Sequence, residues 1–135
     1  MNNLKFDYLV IGACATGMAF VDEIIHNSRD IKVVLIDKHA KPGGHWNDAY
    51  PFVRLHAPAA WYGVNSRTLG SGGSDLSTKA QILAYYELVM DDLKSTGRLS
   101  YFPQCEYLGS GKFKSLLDNG VQYEVKKILI VKQGI

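Results

Sequence analysis

The chain has 135 residues, 47% of them hydrophobic and 21% charged, with a formal net charge of +2 at pH 7. That length suits a single domain over residues 1–135 with a real core and is too short for two nucleotide domains, while the apolar content excludes a disordered chain. The lysines are scattered without a basic block, so the charge pattern points neither to nucleic acid nor to an anionic membrane surface.

Tyr8 to Ile11 are four apolar residues without alternation, the pattern of a strand buried on both faces of a parallel sheet. Gly12 breaks the run, and Gly12-x-Cys14-x-x-Gly17 reads as a dinucleotide-binding fingerprint whose middle glycine is replaced. Met18, Val21 and Ile25, with Phe20 and Ile24 beside them, recur at helical spacing, which leaves Asp22, Glu23 and Asn27 for the wet side. The N-terminal amides and dipole of this helix are placed to meet a pyrophosphate. After a turn at Ser28-Arg29-Asp30, a second apolar run from Ile31 to Ile36 closes on Asp37, at about the distance from Gly12 where the fingerprint needs an acid for a ribose hydroxyl. Asp7 before the first run, and a helix pattern behind it where a cleavage site would stand, argue against a signal peptide. No apolar run approaches a membrane span. Cys14 and Cys105 form neither a metal-type spacing nor a disulfide framework, which fits a reducing, cytoplasmic setting.

Residues 38–75 lose periodicity but keep aromatics, among them Trp46, Tyr50, Phe52, Trp61 and Tyr62, and are expected to wrap across a binding cleft. Thr78-Lys79-Ala80-Gln81 has the form of a capping box and predicts a helix with Ile82, Tyr86, Val89 and Leu93 on its buried face and Gly97 beyond its end. Leu99 to Phe102 reads as a third strand, stopped by Pro103. Turn signals at Gly109-Ser110-Gly111 and Asp118-Asn119-Gly120 then separate three short strands into a meander over about residues 104–126. Ile128 to Val131 is again an unbroken apolar run, and it is expected to return and pair in parallel with Tyr8 to Ile11. The fold predicted is α/β, a doubly wound parallel sheet whose four strands, counted along the chain without the meander, lie in the order 3-2-1-4.

With these residues laid out, the chain resembles the N-terminal, FAD-binding part of flavin-dependent monooxygenases and related FAD/NAD(P)-binding oxidoreductases, and the likeness covers nearly all of it. The carriers are the fingerprint, Asp37, Pro42-Gly43-Gly44-His45-Trp46, and the stretch Tyr50 to Pro58 with Trp61-Tyr62-Gly63. The resemblance implies a Rossmann-like flavoprotein domain. In it the turn of Gly12, Ala13, Cys14, Ala15, Thr16 and Gly17 holds the pyrophosphate, Asp37 the adenosine ribose, and Gly43, Gly44 and Trp46 the ribityl and flavin portion, with Arg54 and His56 near by and Lys38 and His45 also among the cofactor-binding residues. Glycines allow close backbone approach to a ligand, tryptophan offers a wall, and arginine a partner for phosphate or carboxylate. No metal site is expected, since His26, His39 and His45 lack ligand spacing.

Relative to that family the chain lacks the NAD(P)H and substrate parts, so a complete catalytic cycle is not expected of it alone, and no catalytic residue stands out. The missing parts predict apolar surface that drives self-association or awaits a partner domain. Two other readings stay open: a small NAD-binding oxidoreductase, since Asp37 also suits the ribose of NAD, and a folded remnant that binds no cofactor alone.

Cys14 adds a Cβ and a sulfur where the fingerprint's glycine lets the backbone approach the pyrophosphate. The chain is therefore expected to hold FAD weakly or to purify without it. Overpacking of a filled site costs about 1–3 kcal/mol, so Cys14→Gly should tighten FAD binding by about tenfold to a hundredfold in a calorimetric titration. An unchanged affinity would show that the turn is not the obstacle.

Overall fold

The computed structural model describes residues 2–13, 15–43, 78–117, 119–126 and 129–132. Within them the chain forms strand β1 (Asn2–Lys5), β2 (Tyr8–Ile11), helix α1 (Ala15–Asn27), β3 (Val33–Ile36), α2 (Lys79–Lys94), β4 (Leu99–Phe102), β5 (Cys105–Gly109), β6 (Lys112–Ser115), β7 (Gln122–Lys126) and β8 (Leu129–Lys132).

One sheet runs β4-β3-β2-β8, with every neighbour parallel, and Tyr8, Val33 and Leu99 fall in register across it, with Leu129 opposite Tyr8 on the other side. Its central strands are covered on both faces, which is why they carry unbroken apolar runs. Alternate side chains feed two cores. Val10, Val33 and Leu35 pack with Met18, Val21 and Ile25 of α1 and Tyr86, Val89 and Leu93 of α2. Leu9, Val34 and Ile36 pack the other way, against Cys105, Phe113 and Val125. The described residues therefore form three layers: two helices, the parallel sheet, and a second sheet.

The second sheet contains the meander, antiparallel from β5 to β6 to β7. It also contains β1, paired in parallel with β7 so that the order is β1-β7-β6-β5. The meander has the three strands expected, and β1 is a fourth strand of the sheet that the sequence reading does not include. Asn-Asn-Leu-Lys holds one apolar residue and no alternation, so its pairing comes from the open edge of β7 and not from its own pattern. On the inner face Phe113 stacks on Tyr123 at 5.0 Å and meets Phe102 edge-on at 5.2 Å, which fastens the meander to β4. Such pairs add about 0.5–1.5 kcal/mol each beyond their buried area.

Local chemistry explains the element ends. Thr78 and Gln81 form both arms of the capping box, with Gln81 N–H donating to Thr78 Oγ1 at 3.2 Å and Thr78 N–H to Gln81 Oε1 at 2.8 Å. Gly97 follows α2 at φ +76°, a backbone conformation that favours glycine. The second strand starts at Val33, two residues later than expected, because the Lys32 amide donates to the Asp7 carboxylate at 2.9 Å instead of entering the ladder. A correction concerns Asp22, expected on the wet side but only 1% exposed. It lies four residues after Met18 and three before Ile25, on the buried stripe itself. Its carboxylate faces His26 Nδ1 at 3.3 Å. Glu23 and Asn27 are exposed, as expected.

Arg98, just before β4, donates from one guanidinium nitrogen to Ile25 C=O at 2.6 Å and from the other to Ser28 C=O. A cation thus satisfies carbonyls at the negative end of α1 and ties that end to the sheet. Arg98→Ala should lower the unfolding free energy by about 2 kcal/mol, since bonds to charged groups contribute about 1.5–3 kcal/mol. Urea unfolding would measure the loss, and Arg98→Lys, which cannot span both carbonyls, should recover only part of it.

Candidate functional site

Strands β2 and β3 end side by side, and the chain leaves both through one set of hydrogen bonds. Gly12 N–H donates to Ile36 C=O at 2.8 Å, extending the pairing one step past β2. Gly12 then turns with φ +108°, a conformation that favours a residue without Cβ. The next amide, that of fully buried Ala13, donates to Asp37 Oδ2 at 2.6 Å. Ala13 C=O in turn accepts from Gly43 N–H at 2.7 Å, and Gly43 has φ +124°. Helix α1 starts two residues after Ala13, so its first amides lie beside this turn.

Asp37 is 7% exposed and engaged on both carboxylate oxygens. Besides Ala13 N–H on Oδ2, its Oδ1 accepts from His39 N–H at 2.7 Å and from His39 Nδ1 at 2.8 Å. Because a carboxylate only accepts, the network assigns the proton to Nδ1 of that imidazole. The backbone of Asp37 is anchored as well: its N–H donates to Phe102 C=O at 3.2 Å and its C=O accepts from Cys105 N–H at 2.8 Å. A buried carboxylate placed this way is satisfied, which a buried charge requires.

These groups border an open cleft of about 370 Å³ at the carboxyl ends of the strands. Gly12, Asp37, Lys38 and His39 form one side of it, and Cys105 to Tyr107 of β5 the other. Lys38 and Glu106 are exposed at its rim. The β5 wall is an edge strand. Cys105 N–H points away from β6, to Asp37 C=O, while Gln104 C=O accepts from Leu116 N–H on the β6 side. Alternation along an antiparallel ladder then turns the Tyr107 amide the same way as that of Cys105, off the paired side of β5.

Of the residues singled out by sequence, the structure brings together Gly12, Ala13, Asp37, Lys38 and Gly43, and it buries Gly17 near the start of α1. Ala15 and Thr16 supply backbone to the first turn of that helix. Cys14, Gly44, His45, Trp46, Arg54 and His56 lie outside the described residues, as does the greater part of the expected wrap over 38–75. Sequence reasoning missed His39 and the β5 wall. The turn signals of the meander predict β5 as a strand, but its place beside the cleft had no signal other than Pro103, which stops β4. Among the described residues no group of three or more His, Cys, Asp or Glu could hold a metal ion, and no helix is long and apolar enough to cross a membrane.

On the helix side, the buried Tyr101 hydroxyl has no hydrogen-bond partner among the described residues. Burial, with the Asp37 carboxylate adding to it, holds this phenol well above its ordinary range, so it stays protonated. Near it the exposed Lys41–Glu87 pair, at 3.4 Å, contributes little.

No protein-family model matches the chain. An uncharacterized protein of Mycobacterium tuberculosis is 49% identical over 133 residues, a match that takes in 90% of this chain and 24% of that protein. The chain thus spans about a quarter of the length of the curated relatives it matches. A flavin-containing monooxygenase from Stenotrophomonas maltophilia superposes with a TM-score of 0.67 at 20% identity, covering 97% of this chain and 38% of the enzyme. The bacillithiol disulfide reductase of Staphylococcus aureus gives 0.66 at 18% identity, with 98% and 39% covered. At these identities the likeness is one of fold alone.

Proposed function

We propose that this chain binds FAD through its adenosine and pyrophosphate and forms the FAD-binding part of a flavin-dependent oxidoreductase of the monooxygenase type. The observation that carries the reading is the Ala13 N–H bond to Asp37 Oδ2, which sets an acid against a glycine turn at the floor of a cleft and at the start of a helix. The residues fit the group. Gly12 offers a wall without Cβ, the first amides of α1 suit a diphosphate, and Asp37 keeps an acceptor position for a ribose hydroxyl. Lys38 stands at the rim as an exposed cation, and the Tyr107 backbone offers a donor and an acceptor for a heterocycle edge.

When bound, the flavin supplies the two-electron chemistry, and the protein supplies binding and orientation. Gly12 keeps its own part of the turn free of a side chain, and the His39–Asp37–Ala13 set fixes the acid before the ligand arrives. The chain spans about a quarter of the curated relatives it matches, and on this reading any groups that bring reductant and substrate are expected outside that quarter.

Calorimetric titration of the 135-residue chain with FAD, ADP and NAD tests the reading. FAD should bind with one site per chain and ADP should compete with it. NAD binding without FAD binding would favour a nicotinamide enzyme, and no binding by any of the three would leave a folded remnant. Asp37→Ala should weaken FAD about tenfold or more and also lower the unfolding free energy by about 2 kcal/mol, because it leaves the buried Ala13 amide unpaired. A variant that loses stability but keeps its affinity for FAD would remove Asp37 from the ligand site.

A further inference from the structure

We infer that His39 is a positioning residue that limits Asp37 to reading a single hydroxyl of the adenosine ribose, an inference that rests on the dinucleotide reading of the cleft. A carboxylate has about four acceptor positions. Three are filled from within the chain: Oδ1 by the His39 amide at 2.7 Å and the His39 ring at 2.8 Å, and Oδ2 by the Ala13 amide at 2.6 Å. One remains, on Oδ2, the oxygen already turned toward the glycine turn. A ribose presents two adjacent hydroxyls, and a carboxylate with one free position per oxygen could accept both. Here the second is closed by the imidazole.

Two features make the arrangement specific to His39. The ring is itself part of the cleft lining, with a quarter of its side chain exposed and the Asp37 side chain almost wholly buried. The carboxylate is also held from three directions, by the turn, by the 37–39 bend and through its own backbone by β4 and β5, so it cannot rotate to offer a different oxygen without breaking bonds at both ends. The imidazole therefore decides how many ligand hydroxyls the acid can take, without contact to the ligand being required of it.

The test uses ADP, 2′-deoxy-ADP and 3′-deoxy-ADP as probes on the 135-residue chain, with affinities from calorimetry. In the wild type one of the two deoxy nucleotides should bind about tenfold more weakly than ADP and the other within about twofold, since one bond to a charged acceptor is lost in only one case. In His39→Ala the freed position on Oδ1 can take the second hydroxyl, so both deoxy nucleotides should fall about tenfold below ADP. His39→Asn keeps a side-chain donor for Oδ1 and should restore the one-sided pattern. A merely structural histidine would weaken all three probes in proportion and leave their ratios alone. Equal losses, or no losses, for the two deoxy nucleotides in the wild type would overturn the inference even if His39→Ala failed to fold, and so would unchanged ratios in a folded His39→Ala. If neither ADP nor FAD binds the wild type, the reading of the cleft itself falls; if they bind without the predicted ratios, only the role of His39 does.

Discussion

The bond from the Ala13 amide to Asp37 is the constraint on which the rest of the site depends. It joins the residue after one central strand's turn to the residue that ends its neighbour, and both partners are buried. Around it runs a closed set of backbone bonds: Gly12 to Ile36, Gly43 to Ala13, Cys105 to Asp37 and Gln104 to His39, at 2.7–3.0 Å. Each leads from one segment leaving the sheet to another. The carboxyl ends of β2 and β3 and the start of β5 are thereby held as one piece. A ligand arriving there meets a preorganised surface, which lowers the ordering cost of binding.

The topology explains why this piece sits where it does. From β2 the chain crosses by α1 to β3 on one side, while β8 pairs with the other side of β2. The order therefore reverses direction at β2, and in open parallel sheets a crevice opens outside the carboxyl end of the strand where that happens. Gly12 is the residue at that end. The second sheet completes the crevice, because Gln104, in a left-handed conformation at φ 51°, turns the chain from β4 into β5 across the mouth. The meander is thus a wall of the site as well as a cover for Leu9, Val34 and Ile36.

Much of this was legible in residues. Unbroken apolar runs marked the central strands, because burial on both faces removes alternation, and the final run's return beside Tyr8 to Ile11 followed from the same pattern. Asp37 was legible from its separation from Gly12, and the capping box from four consecutive residues. What was not legible has physical reasons. β1 carries one apolar residue and is recruited by an edge, so its pairing lives in the partner. Asp22 was placed by polarity when its helical position already put it inside. His39 acts through a contact two residues back along the chain, and no periodicity records such a contact. Cys105 to Tyr107 reach the cleft only through the path of the chain after Pro103.

The two walls also differ in the kind of information they hold. The wall from Gly12 to His39 is built within one strand-helix-strand unit, so its geometry is local in sequence and its chemistry is a charge with counted acceptor positions. The β5 wall is about seventy residues away along the chain and offers mainly backbone, with Tyr107 Oη already accepting from Gly111 N–H at 3.1 Å. Substitution on β5 can therefore change side chains while leaving the backbone donor and acceptor in place, whereas the acid wall tolerates little change, since each group there completes another's hydrogen bonding. Asp37 is where the two meet: its carboxylate closes the glycine turn and its carbonyl receives the first amide of β5. One residue thus sets both the chemistry of the near wall and the position of the far one, so a change at Asp37 is felt on both sides of the cleft.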